Sequence, residues 1–453
     1  MYDRIKGFRD FYPGEMGARR ETFDTLESTA RQYGFREIGT PALERTQMYV
    51  DKSGEEIVEE LYSFEDQGGR DVALTPELTP TVARMVVAKQ QELSKPIKWF
   101  STRPFWRYEE PQSGRKREFY QTNVDIFGSS EPEADAELLA CAADALTSLG
   151  LTSEDFEFRV SHRDILGGLL EAFDGHKSDD LRANQNSKSS GDADVDTEAA
   201  IRAVDKNQKV GEDEFYGLLN DAGLSYDQAR EFDDLLDTPE SELDDLVAFA
   251  RTERVENAVE NLSDVLDAAA DFGARDYCTL SLDTARGLDY YTGVVFECFD
   301  STGDVSRSIF GGGRYDDLIE GFGGQPTPAV GFAVGDATLT LLLQRAGVWP
   351  DEELSTDYYV LQVGDTRDVA ADVTRELRGE GHVVETDVSG RSFGGQLDYA
   401  DSIGAETVVI VGEQDLADGN VTVKDMNSGE QTQVPVEEFP PGDISRPTYE
   451  DFE

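Results

Sequence analysis

Two aromatic-rich segments with period-two alternation, residues 97–109 (IKWFSTRPFWRYE) and 118–128 (EFYQTNVDIFG), flank the polar stretch EPQSGRKR. Alternation puts successive side chains on opposite faces of a strand, while the glycine and clustered charges between suit a turn. The pattern predicts two strands joined by a long basic loop, so the chain has to build a sheet around this pair. Gln121 and Asp125, with Asn123 between them, fall on one face of the second strand. A run of polar groups on one strand face is costly in a core and useful in a ligand site.

The flanking segments extend this frame. Residues 19–33 place Phe23, Leu26, Ala30 and Tyr33 on one helical face, closed by Gly34. FREIGTPALER alternates around Pro41, as an edge strand or a strand leaving a sheet does. From Thr152 to Tyr277 the chain is acid-rich and mostly helical in pattern, broken by the low-complexity NQNSKSSGDADVD, and reads as an inserted helical module. Strand-like segments resume at YCTLSLD, GVVFECFD and SRSIFGG, and AVGFAVG leads into the helix TLTLLLQRAG. After the turn-rich VWPDEELSTD, the strands YYVLQVG, HVVET, TVVIVG and NVTVKD alternate with helices over 366–380 and 394–403. The expected fold class is α+β. A mixed, mainly antiparallel core with flanking helices covers 1–151 and 278–347, with a helical insertion over 152–277. A linker over 348–357, an α/β domain over 358–440 and an acidic tail over 441–453 follow.

Charge bears on the solvent more than on the fold. Lys and Arg number 41, of which 11 are Lys, against 94 Asp and Glu, for a net −53. The acids are spread along the whole chain, which fits concentrated intracellular salt: at about 1 M the Debye length is about 3 Å, and such a charge neither disrupts a fold nor repels a polyanion at range. Cys141, Cys278 and Cys298 have no paired spacing, and His162, His176 and His382 lie far apart, so neither a disulfide framework nor a metal site is expected. The charged N-terminus lacks the apolar stretch of a signal peptide, and no run of 18 apolar residues occurs; a cytoplasmic protein without a membrane partner is expected.

Four segments concentrate polar and aromatic groups where a core would not want them. LTPELTPTVAR (74–84) sets Glu77 and Thr79 among prolines before a helix, either as a cap or as an acid and hydroxyl for an ammonium. The hairpin carries Arg107, Arg115, Lys116 and Arg117, the densest basic patch in an acidic chain, which argues for an anion; Phe119 could stack on a purine. DTARGLDYYTGVVFE (283–297) puts one arginine next to paired tyrosines, as a surface strand or as a site. FGGGRYDDL (310–318) permits close backbone approach to a ligand, although glycine-rich loops are more often turns. No P-loop and no dinucleotide fingerprint is present.

Together these segments resemble the histidyl-tRNA synthetases, class II enzymes, from Gly7 to about Val436. GFRDFYP, PALER, TPELT, the hairpin, ARGLDYYTG, GGGRYDDL, FGGQLDYADSIGAETVVIVGE and VTVKDMNSGEQT fall in the family's order. The resemblance implies a class II catalytic core, a C-terminal anticodon-binding domain and a homodimer with Pro41 in the motif that builds its interface. It also implies histidine and ATP as substrates, Mg²⁺ and a tRNA(His) partner. By motif, Glu77, Thr79 and Gln121 would hold the histidine ammonium, with Leu78 also among the histidine-binding residues, and Asp125 and Tyr291 would read its imidazole, with Tyr290 and Tyr315 lining the pocket. Arg107 would clamp the ATP α-phosphate; Glu109, Arg115, Phe119 and Gln121 would serve the nucleotide. Arg286 would stand beside the reacting carboxylate and, with Arg107, act as a catalytic residue. An RNA partner of so acidic a domain has to be held by short-range hydrogen bonds with few released counterions.

One position departs from the family. Its third motif reads G-F-A-x-G with E-R-L two residues on, whereas here GFAVGDATL puts Ala337 and Thr338 at the Glu and Arg places. The lost cation should weaken ATP binding or slow activation unless another arginine, with Arg314 and Arg345 the candidates, moves in. Thr338 also suits a synthetase-like regulatory subunit of ATP phosphoribosyltransferase, against which stand the intact ARGLDYYTG, the full basic hairpin and the C-terminal α/β domain. A non-catalytic tRNA-sensing protein is the third reading, and it predicts eroded ligand contacts.

Overall fold

The computed structural model describes residues 2–53, 55–183, 195–207, 210–284, 291–350 and 356–438, with the side chains of 51–53, 55–57, 174–183 and 438 left aside. The chain forms two compact units, Met1–Asp10 with Arg20–Pro350 and Phe11–Arg19 with Asp351–Glu453.

The strands of the first unit are β1 (Arg36–Glu37), β2 (Leu43–Arg45), β3 (Ser63–Glu65), β4 (Asp71–Leu74), β5 (Ile97–Trp106), β6 (Glu118–Phe127), β7 (Phe156–His162), β8 (Cys278–Leu280), β9 (Val294–Asp300), β10 (Phe310–Arg314) and β11 (Ala329–Gly335). Eight of them make one mixed sheet in the order β1-β5-β6-β11-β10-β9-β7-β8, while β2-β4-β3 form a small antiparallel sheet. The pairing is antiparallel except at the two ends, β1 with β5 and β7 with β8. The aromatic hairpin is its longest ladder, in register from Ile97 opposite Phe127 to Trp106 opposite Glu118. Pro41 lies between β1 and β2, so the FREIGTPALER segment does leave one sheet for another.

Packing explains why the hairpin sits at the centre. β6 is flanked by β5 and β11, and Val124 and Ile126 turn their side chains into a core shared with Phe23, Leu26 and Ala30 of the helix Pro13–Gln32. That helix begins earlier than the periodicity indicated, because a proline is tolerated in a first turn where no backbone N–H is needed. The helix Pro132–Ser148 packs against both β11 and the helix Glu253–Asp271, so Leu138, Leu139, Cys141 and Leu146 are all buried. Each such leucine contributes about 1.5–3 kcal/mol.

The region read as an insertion holds the helices Arg163–Ala183, Thr197–Val204, Glu212–Asp221, Tyr226–Leu236, Leu243–Ala250 and Glu253–Asp271. A Cβ at Gly168 would come within 2.4 Å of Val255 Cγ2, so this glycine lets two of them cross closely. β7 lies within the same stretch yet pairs with β8 and β9 in the main sheet. Its F-x-F-x-V alternation is a strand period that acidic neighbours obscured.

In the second unit, β12 (Thr356–Val363), β13 (Val384–Thr386), β14 (Ala405–Gly412), β15 (Asn420–Asp425) and β16 (Gln431–Pro435) form a sheet ordered β13-β12-β14-β15-β16. The first three strands are parallel, joined through the helices Arg367–Gly379 and Phe393–Ser402, and the last two return antiparallel. The polar β16 had no pattern by which to find it. No helix among the described residues is long and apolar enough to cross a membrane.

Candidate active site

A polar cleft opens on the face of the sheet that carries Gln121, Asn123 and Asp125. The space between its walls, open solvent at the mouth included, is about 500 Å³, and its lining includes Glu77, Thr79, Arg107, Tyr291 and Tyr315. Several elements deliver the lining residues. β6 supplies the floor, and the start of the helix Thr79–Lys89 supplies Thr79, with Glu77 just before it. Tyr315 follows β10, and Arg107 follows β5.

At the floor, Asp125 is buried and accepts a hydrogen bond from the Tyr315 hydroxyl. Burial pushes this carboxyl up to about 7, and the tyrosine hydrogen bond only partly offsets it. Gly331, opposite Asp125 on β11, makes the arrangement possible: a Cβ there would lie 2.1 Å from Asp125 Oδ1 and 2.9 Å from Tyr315 Oη. Arg314 and Asp316 fix Tyr315 from both sides. Arg314 is ion-paired with Asp135 and reaches Asp316 at 3.3 Å, and Asp316 accepts the Ala329 N–H at 3.0 Å.

Arg107 is tethered by its Nε to the Pro76 carbonyl at 3.0 Å and lies over the Phe119 ring at 5.4 Å, leaving its Nη groups toward the cleft and Glu109. Glu109 stands between Arg107 at 3.8 Å and Arg115 at 3.4 Å. Arg117, by contrast, is used locally: it lies over Tyr108 and donates to the Glu109 carbonyl at 2.9 Å. The opening GFRDF segment straps this hairpin. The Gly7 carbonyl accepts from Arg117 N–H, and Arg9 pairs with the buried Asp336 at 2.8 Å.

The structure therefore brings Glu77, Thr79, Arg107, Gln121, Asp125, Tyr291 and Tyr315 around one cleft. Glu109, Arg115 and Phe119 adjoin it through Arg107 rather than lining it. Leu78 does not line it either; its side chain is buried in an apolar cluster with Val82, Phe105 and Tyr291. Arg286 and Tyr290 lie outside the described residues. Asn123 went unassigned as a site residue, yet it is 5% exposed, lines the cleft, and its Oδ1 has no hydrogen-bond partner among the described residues. Its place between Gln121 and Asp125 was the available signal.

Two expectations need correction. Gly312 and Gly313 do not cradle a ligand. They belong to a buried strand, where a Cβ would strike the Gly331 carbonyl at 2.3 Å and the Val294 carbonyl at 2.8 Å; only Gly311 of the three lines the cleft. Neither arginine proposed to replace the one missing at Thr338 is available. Arg314 is committed to Asp135 and Asp316, and Arg345 is held by Asp155 and Asp300, each at 2.9 Å. Thr338 itself is buried and donates to the Ile309 carbonyl at 2.6 Å.

Comparison with known proteins agrees with this architecture. The family described as histidyl-tRNA synthetase matches residues 7–339, and an anticodon-binding domain matches residues 357–442. The histidine–tRNA ligase of Natronomonas pharaonis is 71% identical over 452 residues, and that of Haloarcula marismortui 70% over 452, each covering 100% of both chains. The crystal structure of histidyl-tRNA synthetase from Nostoc sp. superimposes with a TM-score of 0.79 at 25% identity, over 97% of this chain and 98% of that one.

Proposed function

Because the chain belongs to the histidyl-tRNA synthetase family, as a histidine–tRNA ligase that uses ATP, we propose that the cleft on the β6 face is where histidine meets ATP. The observation that carries this reading is the Asp125–Tyr315 pair at the floor of a cleft whose rim is arginine. A buried carboxyl is a costly group to keep, and beside a tyrosine hydroxyl it suits an imidazole N–H. Tyr291 closes the same wall. Glu77, Thr79 and Gln121 gather oxygen acceptors for the ammonium end, and Arg107 meets the α-phosphate.

The chemistry follows from that placement. A histidine carboxylate oxygen forms a bond to the α-phosphorus, the bond from that phosphorus to the bridging oxygen breaks, and pyrophosphate leaves. Negative charge grows on the phosphoryl oxygens, where a fixed donor such as Arg107 is worth about 3 kcal/mol. By motif, Arg286 adds a second cation. The terminal ribose hydroxyl of tRNA(His) then attacks the adenylate carbonyl and AMP leaves. Mg²⁺ brought in as part of the ATP substrate would offset charge on the leaving pyrophosphate.

The β12–β16 unit, which matches the anticodon-binding domain, takes the anticodon of the tRNA. The enzyme works in concentrated salt, which its −53 charge and its relatives in Natronomonas and Haloarcula support; a cytoplasmic homodimer is what membership of the family implies. The same reading keeps the domain division expected from the sequence, with β7 assigned to the core because it pairs with β8 and β9 of the main sheet.

The test is histidine-dependent ATP–pyrophosphate exchange in molar KCl with Mg²⁺. Exchange specific to histidine is expected, and Asp125→Asn should lower kcat/KM for histidine at least about tenfold, the worth of a hydrogen bond to a charged group. Undiminished selectivity in that variant would remove Asp125 from the imidazole site.

A further inference from the structure

Arg307 lies on the loop between β9 and β10, far in sequence from the basic hairpin, yet the fold lays it across the hairpin's loop. Its Nη1 donates to the Ser113 carbonyl at 2.6 Å. A Cβ on Gly114, which has φ +71°, would meet Arg307 Cδ and Nη1 at 3.1 Å and Thr338 Cγ2 at 2.9 Å. Arg307 and Thr338 thus press on the same glycine. Thr338 also holds the Ile309 carbonyl, two residues from Arg307, at 2.6 Å. A short side chain at 338 leaves room for the long one at 307 and fastens the loop from which it comes.

The charges around this point do not balance. Arg107 and Arg115 share Glu109, at 3.8 and 3.4 Å, and Arg307 makes no ion pair among the described residues. Three guanidiniums therefore face one carboxylate in a chain with more than two acids for every base. Burial, followed by the neighbouring Arg115, lowers the Arg307 pKa, and Glu109 opposes this only in part. Holding like charges together is unfavourable unless an anion completes the group. Two surplus positive charges beside the Arg107 wall of the cleft match a polyphosphate, which guanidinium forks bind through its oxygens.

We propose that Arg307 is an ATP-binding residue that, with Arg115, grips the outer phosphates while Arg107 serves the α-phosphate. This rests on the reading of the cleft as the ATP site and adds a residue that no motif marks. AMP, which lacks the outer phosphates, should be indifferent to Arg307.

Arg307→Ala and Arg307→Lys test it in the full-length protein in molar KCl. ATP and AMP binding are measured by calorimetry, and KM for ATP and for histidine by pyrophosphate exchange. For Arg307→Ala we expect ATP affinity to fall, and KM for ATP to rise, about tenfold or more, the cost of one charge-assisted contact. AMP affinity and KM for histidine should stay within about twofold, with Arg307→Lys in between. Equal losses for ATP and AMP, a shifted histidine KM, or an unchanged ATP affinity would each overturn the assignment. Should the alanine variant fail to fold, the lysine variant's ATP-to-AMP ratio decides. A wild type that binds ATP without histidine-dependent exchange would count against the functional reading alone, because the nucleotide comparison still reports on Arg307.

Discussion

Arginines are used in two opposite ways within the first unit. Beneath the cleft, Arg314 meets Asp135 and Asp316 and the carbonyls of Ser129 and Glu131, so its guanidinium is fully consumed. At the rim, Arg107, Arg115 and Arg307 divide one carboxylate, Glu109, and are partly exposed. The first arrangement is complete without a ligand and holds Tyr315 in place; the second is completed only by an anion. In a protein of −53 the informative arginines are those that lack acids, and sequence distance does not identify them.

The comparison breaks most readily at the buried end. Arg314→Ala leaves Asp135 without its partner at 3% side-chain exposure. Removing one member of a buried ion pair typically costs about 3–5 kcal/mol, so a large drop in Tm and in unfolding free energy is expected. A fall of less than about 1 kcal/mol by denaturant titration would mean that Arg314 is not a structural cation. The rim should respond in the other currency. Arg107→Ala should leave Tm nearly unchanged and lower the exchange kcat about 100- to 1000-fold, as removal of a transition-state donor does. If Arg107→Ala unfolds the protein instead, the division between the two regions fails.

What the sequence revealed follows the same division. The hairpin register, the helix face of Phe23, Leu26 and Ala30, and the shared face of Gln121, Asn123 and Asp125 are periodic features, and they were legible. The arginines were legible as residues but not as partners. Arg314 and Arg345 looked free because Asp135, Asp155 and Asp300 lie far off in sequence. Arg307 sat in an unremarkable S-R-S because its contact is with a loop 194 residues away. The departure at Thr338 was visible at once; what stands in its place is a matter of packing across Gly114.

Asp125 lies between the two regions, buried like Asp135 but with a tyrosine in place of an arginine, and pH separates them. Its carboxyl is pushed up to about 7 by burial, against the pull of Tyr315. A group with a raised folded-state pKa favours folding most below its unfolded value of about 3.9, and that contribution is lost as pH rises through about 7. Relative to wild type, Asp125→Asn should therefore be more stable at pH 8 than at pH 5. Histidine binding runs the other way, since the ionised carboxylate is the better acceptor for an imidazole N–H. From pH 6 to 8, wild-type kcat/KM for histidine should rise by up to about tenfold beyond any rise in the Asn variant. Free histidine titrates near 6.5 in both assays, so the difference between the two profiles isolates the enzyme's own group. Parallel profiles would show that Asp125 is already ionised at pH 6, and that the Tyr315 hydrogen bond offsets its burial.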